Sequence, residues 1–378
     1  CCALESRRRH PTTRLRVLDP SGRWMDRWRH AFGALDITNL RSPSVHHPDP
    51  DPHGFESWLR DEARPGSGLP HGLPDTTAFE DFCGTLEERH GLAGVVEPHA
   101  ARLLCTEEPD TNHVLLDDGR LLTARRVVLA TNAHRRVVPA WARPHIDRSD
   151  RVRHSAQIDL RHRALAGEHV VVVGGGLTAA HLVCGAVRRG ARVTLLARRG
   201  LRTRHFDVDP GWLGPKHLGR FSATEDWPAR RRMIDHARDG GTVPPWMHRQ
   251  LASLADSGWL EISSPARVES ITVGDLVAVR LEGGTCVVAD RVWLATGTRA
   301  SVDAEPLLDD IARDHPTTIV DGLPVLTDDL RWPGTGIHLT GRLAGLLLGP
   351  AAGNLWGARQ ATQRIAPSLG VLADPVGS

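Results

Sequence analysis

Long apolar runs are missing from this chain, so no segment reads as a membrane-crossing helix. Cysteine is sparse: Cys1, Cys2, Cys83, Cys105, Cys184 and Cys286 make up all six, without C-x-x-C or metal-ligand spacing. That pattern favours reduced thiols in a cytoplasmic protein over a disulfide frame or a metal site, and no signal peptide is visible. Neither sign of charge dominates, with 47 basic side chains against 45 acidic ones. No basic stretch alternates with aromatics either, so neither a nucleic acid nor a membrane is an expected partner. Tyrosine is absent while tryptophan numbers 11, and the basic residues are mostly arginine, which reads as compositional bias. What remains is an ordinary globular composition of 378 residues, 40 % of them hydrophobic, enough for two or more domains with sizeable cores.

The chain is organised around VVVVGGGLTAAHLVCGAVRRGARVTLLARR, from Val170 to Arg199. Four consecutive valines suit a strand buried on both faces. Gly174, Gly175, Gly176 and Ala179 then spell G-x-G-x-x-A at the start of a helical apolar pattern that includes Thr178. A backbone free of side chains can approach a pyrophosphate closely, and the helix end offers unpaired N–H groups and a positive dipole to that anion. A second strand, Val193 to Ala197, runs into Arg198 and Arg199. A carboxylate here suits the ribose hydroxyls of NAD, whereas a guanidinium suits the extra phosphate of NADP. Arg198 follows Gly174 by 24 residues, about the expected interval. The plainer readings are a structural glycine turn and a solvated strand end.

In chain order, Cys1 to His10 looks like the last turns of a helix, and Leu15 to Leu18 like a short strand ending at Asp19, a carboxylate placed to take ribose hydroxyls. Ser21 to Pro52, with Trp24, Trp28, Leu40-Arg41-Ser42-Pro43 and His46-His47, reads as a long irregular loop. His46 and His47 are placed either to touch a cofactor or to pack as structural histidines. Gly66 to Pro74 reads as a linker, and Thr77 to His90 as a helix stopped by Gly91. Val114 to Asn132 and Val279 to Gly297 then repeat one device: a Gly-containing hairpin followed by an apolar strand closing on Leu-Ala-Thr. Two copies imply a second dinucleotide module, built from the chain before residue 160 and after residue 298. Phe206 to His248 reads as an insertion with a helix around Ala229 to Ala237, either over a cleft or as a solvated cap. Ile337 to Thr340 is a last strand, and a helix is expected from Ala351 to about Ile365, stopped by Pro367.

These segments together resemble the flavin-dependent N-hydroxylating monooxygenases, the ornithine and lysine N-monooxygenase family of siderophore biosynthesis. Carrying the resemblance are Leu40 to Pro43 in the Trp-rich stretch, Leu129-Ala130-Thr131, His154-Ser155, the Gly174 to Ala179 turn, Leu294 to Gly297, and Ile337 to Arg359. Two positions depart from the pattern: Asn132 stands in place of a glycine and Thr298 in place of tyrosine. The resemblance implies an α/β fold of two Rossmann-like modules, the NADPH module (161–298, with a helical insertion at about 206–258) inserted into an FAD module (1–160 and 299–378). It implies FAD contacts from Asp19, Leu40, Ser42, Gly341, Gly349, Pro350 and Asn354, and NADPH contacts from Gly174, Gly175, Gly176, Thr178, Arg198 and Arg199. The activity it implies is hydroxylation of a primary amine with molecular oxygen through a flavin hydroperoxide.

The residues leave alternatives open: an NADPH-flavin reductase or oxidase, a non-catalytic NADP-binding module, and oxidation of sulfur or carbon. No cysteine pair near a glycine turn points to a disulfide reductase, and no Phe-x-Gly ahead of His154 points to Baeyer-Villiger chemistry. Counting the same 24 residues back from Asp19 passes beyond Cys1, so the first module's own strand and glycine turn are expected to be missing, with weak FAD binding as the consequence.

Overall fold

Apolar side chains one helical turn apart order the beginning of the chain. The computed structural model describes residues 1–62, 73–238 and 240–370. Most of the Gly/Pro linker read from the sequence, 66–72, lies outside the described residues. Helix α1 (Cys2–Arg9) leads to strand β1 (Val17–Leu18). The stretch expected to be irregular contains a helix, α2 (Asp26–Ala34), which corrects that reading. Trp28 and Phe32 stack with centroids 4.3 Å apart, and Trp28 leans on Phe79, an i, i+4 pair strong enough to hold a turn. Helices α3 (Gly54–Asp61) and α4 (Thr76–Arg89) complete this layer, and the Asp75 carboxylate caps α4 by accepting from the N–H groups of Thr77 and Ala78. His46 and His47 are buried here, and burial pulls both imidazoles below their ordinary pKa. His47 lies edge-on to Phe82 at 5.3 Å with Nε2 3.1 Å from the Pro52 carbonyl, so it serves packing.

The repeat seen in the sequence is a repeat of structure. After β2 (Val96–Glu97), the meander β3 (Ala101–Glu108), β4 (Thr111–Leu116) and β5 (Leu121–Ala124) precedes β6 (Val127–Leu129) and β7 (His134–Arg136). Next come β8 (Val152–His154), β9 (His169–Val173), α5 (Leu177–Arg188) and β10 (Arg192–Leu196). The helices α6 (Pro215–Ala223), α7 (Trp227–Arg238) and α8 (Pro245–Asp256) follow, then β11 (Leu260–Ser263). A second meander, β12 (Val268–Val273), β13 (Val277–Leu281) and β14 (Cys286–Ala289), precedes β15 (Arg291–Leu294). Both copies close on a left-handed residue: Asn132 at φ 54° and Gly297 at φ 82°. Asparagine tolerates that conformation better than other side-chain-bearing residues, which accounts for its standing where glycine was expected.

A five-stranded sheet in the order β11-β10-β9-β15-β8, every pair parallel, forms the middle module. Its outer strand β8 comes from chain ahead of residue 161. After β15 the chain returns to the first module through β16 (Thr298–Ala300), which pairs with β7, then α9 (Asp309–Asp314), β17 (Ile319–Val320), β18 (Leu323–Pro324) and β19 (Ile337–Leu339). Helices α10 (Gly345–Leu348) and α11 (Leu355–Leu369) end it. The parallel pairs β1-β2 and β6-β19 are separate ladders, and no described strand joins them. Helix α11 begins later than expected and runs through Pro367. Proline forfeits only its own N–H, one hydrogen bond in the last turns, so the helix continues past it, and the Ser368 hydroxyl donates to the Ile365 carbonyl at 2.7 Å.

His181, on the buried face of α5, makes this module acid-sensitive. Burial pushes its imidazole down to about 4 from an ordinary 6.5. The unfolded chain therefore takes up this proton near pH 6.5 and the folded chain only near pH 4. Stability is whole above pH 6.5 and falls through that window, by up to about 3 kcal/mol. Thermal melts from pH 7 to pH 4 should show the loss, and His181→Leu should flatten it. An unchanged slope in the variant would contradict this assignment.

Candidate functional site

Strand order reverses at β9, since α5 carries the chain to β10 on one side while β15 arrives on the other. The glycine turn sits at the carboxyl end of β9, the switch point where open α/β sheets bind ligands. Gly174 donates its N–H to the Leu196 carbonyl at 2.9 Å, and a Cβ on it would stand 2.5 Å from the Ala295 carbonyl oxygen. Helix α5 starts at Leu177 with Gly176 as its N-cap and no side-chain cap, so its first N–H groups remain for an anion. Thr178 is exposed on that first turn. The last paired residues of β9 and β10 are Val173 and Leu196, which brings Arg198 to the same end of the sheet as the turn. Arg198 is exposed and, among the described residues, forms no hydrogen bond or ion pair. Arg199 runs beside Gly240, where a Cβ would strike its guanidinium.

Two features absent from the sequence reading complete this region. Gly240 to Thr242, just after α7, lies against the glycine turn, and a Cβ on Gly176 would come within 3.0 Å of Gly241 Cα. Arg41 of the first module holds that segment in place. Its Nε donates to the His205 carbonyl at 3.0 Å, Nη1 to the Thr242 carbonyl at 3.1 Å, and Nη2 to the Arg204 and Phe206 carbonyls at 2.8 and 2.9 Å and to Thr242 Oγ1 at 2.8 Å. The Gly240-Gly241 doublet and the arginine inside Leu40 to Pro43 were the available signals. His154, at the end of β8, is also accounted for: its Nδ1 accepts from the Ala156 N–H, so Nε2 carries the proton and donates to the Gly297 carbonyl at 3.0 Å.

The first-module candidates divide into two groups. Gly349, at φ 78°, packs under Leu218 and Trp212 of the inserted segment, and the Pro350 carbonyl accepts from Arg238 Nη1 at 2.8 Å. Both line a cleft of about 440 Å³ between the modules, together with Asp235, Gly240, Thr298 and Arg342. Asp19, at the end of β1, accepts the Ser21 N–H and hydroxyl on Oδ1 at 2.9 and 2.5 Å. Leu40 is buried among the aromatic side chains, its N–H donating to Pro74 at 2.8 Å, and Ser42 is half-buried beside the Arg41 clamp. Gly341 takes φ 66° after β19, with open space where a Cβ would be. Asn354 caps α11 through Oδ1, accepting from the Gly357 N–H at 2.9 Å, which leaves its NH₂ group available. Asp19, Leu40, Ser42, Gly341 and Asn354 do not line the cleft.

The sequence pattern of the pyridine nucleotide-disulphide oxidoreductases matches residues 84–209, which hold the turn and Arg198. No curated protein sequence matches the chain. Among solved structures, it is similar to the ornithine N-hydroxylase of Kutzneria sp. 744, solved with reduced FAD, NADP⁺ and L-ornithine: 19 % identity, 97 % of this chain and 96 % of that one, TM-score 0.78. The ornithine hydroxylase of Pseudomonas aeruginosa gives 16 % identity over 97 % and 94 %, TM-score 0.75. The FAD-bound cadaverine monooxygenase of Erwinia amylovora gives 13 % identity over 99 % and 96 %, TM-score 0.73. These likenesses establish the fold along the whole chain: two Rossmann-like α/β modules, one inserted in the other.

Gly241→Ala should test the close approach at the turn, because both facing atoms are backbone and neither can swing away. We expect a loss of about 1–3 kcal/mol of stability and weaker nucleotide binding. Gly84→Ala, in α4 with nothing within 4 Å, serves as the control and should be neutral or stabilising by up to about 1 kcal/mol. Equal behaviour of the two variants in thermal melts would contradict the contact.

Proposed function

We propose that this chain is an FAD- and NADPH-dependent monooxygenase that N-hydroxylates a primary amine. The observation carrying the reading is Arg198, a partnerless guanidinium among the described residues, beside an uncapped glycine turn at the switch point of a fold shared with amine hydroxylases. The residues fit NADPH. Gly174 admits no Cβ, the end of α5 offers its N–H groups, and Arg198 would take the 2′-phosphate, with Thr178 and Arg199 flanking it. They fit FAD in part. Asp19 would take ribose hydroxyls, and Gly341, Gly349, Pro350 and the N-terminus of α11 with Asn354 would face the flavin, while Leu40 and Ser42 support the adjoining loop. The described residues of the first module offer no second glycine turn for a flavin diphosphate.

When bound, the two cofactors supply hydride transfer from NADPH to FAD and then two-electron reduction of dioxygen, one oxygen atom entering the substrate and the other leaving as water. The chain's own work is positioning and exclusion. Trp212, Leu218 and Phe221 pack the inserted helices onto the first module, with Phe221 fully buried there, so the insertion closes over Gly349 and keeps water from that side. Arg238 fixes the Pro350 carbonyl at the cleft wall. Dithiol chemistry is disfavoured: Cys83 and Cys184 are buried, with thiols pushed up to about 12 and about 11.

Arg198→Ala should weaken NADPH binding by about 1.5–3 kcal/mol and leave NADH nearly unchanged. Equal losses for both nucleotides would reject the phosphate assignment. With FAD and NADPH supplied, a panel of primary amines should include one that yields a hydroxylamine and suppresses peroxide release. Peroxide with every amine would leave a reductase or oxidase in its place.

A further inference from the structure

Four guanidinium groups, of Arg231, Arg238, Arg299 and Arg342, face the cleft against one carboxylate, Asp235. Three are answered. Arg231 pairs with Asp235 at 2.8 Å and with Asp321 at 3.1 Å, Arg299 pairs with Asp321, and Arg238 lies 3.5 Å from Asp207. Arg342 has no carboxylate within ion-pair distance among the described residues. Its Nη1 donates to the Thr298 carbonyl at 3.2 Å and its Nη2 to Thr298 Oγ1 at 2.9 Å. A guanidinium carries five N–H donors, so three remain. Burial together with the Arg238 and Arg27 cations lowers its pKa, the mark of a charge without compensation. The fold makes room for this side chain, because a Cβ on Gly353 would collide with the Arg342 stem. Thr298, the departure from the tyrosine of the resembled enzymes, is the residue that aims it.

A cleft walled in this way repels a dication and attracts an oxyanion. We propose that Arg342 binds a carboxylate on the amine substrate, so that this enzyme takes amines bearing a carboxylate and rejects plain diamines, with Thr298 as the positioning residue. The inference rests on the reading that an amine is oxidised in this cleft, and it chooses between the two substrate chemistries, amino acid and diamine, found among proteins of this fold.

Matched probes separate the possibilities. L-Ornithine and putrescine differ by one carboxylate, as do L-lysine and cadaverine, and their equilibrium binding to the protein supplied with FAD and NADP⁺ is measured apart from turnover. We expect the amino acids to bind roughly 10- to 100-fold more tightly than their diamines, and Arg342→Gln to remove that preference. Thr298→Val should move binding in the same direction by a smaller factor, which keeps the test usable if Arg342→Gln folds poorly. Diamines binding as well as amino acids, or neither kind binding, would overturn the inference. So would an Arg342→Gln variant that loses affinity for NADPH while keeping its amino-acid preference, because the guanidinium then serves a nucleotide phosphate. Carboxylate selectivity without hydroxylation would support the inference and fail the monooxygenase reading, and hydroxylation without selectivity would do the reverse.

Discussion

Backbone meets backbone at the glycine turn with no side chain between, and the rest of the structure is arranged around that meeting. Gly174 packs on the carbonyl of Ala295 at the end of β15, and Gly176 packs on Gly241 between α7 and α8. A methyl group at these points would push apart strands and segments that have no rotamer to yield. The close approach therefore gathers β9, β15 and the insertion at one end of the sheet, where the uncapped N-terminus of α5 and the Arg198 side chain also lie.

Arginine secures the neighbouring parts, in several places by donating to backbone carbonyls. Arg41 ties the first module to the segment over the turn, and Arg230 donates to the Thr224, Ser222 and Leu346 carbonyls at 2.6, 2.8 and 3.1 Å while standing over the Trp227 ring. Arg27 reaches the Thr131 carbonyl at 3.0 Å, and Arg359 reaches Val45 and Pro50 at 3.3 and 3.0 Å. A planar fork with five donors satisfies several buried carbonyls at once, where lysine would satisfy fewer with less directional control. The arginine excess that composition alone left as bias thus has a structural use. Against this pattern Arg342 is distinctive, spending its donors on one residue and keeping the others toward the cleft.

What was legible in the sequence follows the range of the interactions. The turn, its flanking strands and the twofold meander announce themselves because strand period, glycine position and hairpin length are local properties. Helix α2 was hidden because Trp28 and Phe32 order it against Phe79, roughly fifty residues away. The start of α11 was misplaced because Asn354, and not the preceding Pro350, supplies the cap. Arg41 stood inside a motif already singled out, yet its role depends on the His205 and Thr242 carbonyls, which only the folded chain brings together. Arg342 was silent for the same reason: charge compensation is a property of the assembled cleft.

The central claim is that hydride held at the Arg198 turn of one module reaches a flavin held by the other. The most direct measurement is anaerobic: the purified chain, reconstituted with FAD, is mixed with NADPH or NADH and the visible flavin absorbance is followed. Bleaching should be faster and nucleotide binding tighter with NADPH, and Arg198→Ala should lose that advantage. Bound flavin that neither nucleotide bleaches would contradict it.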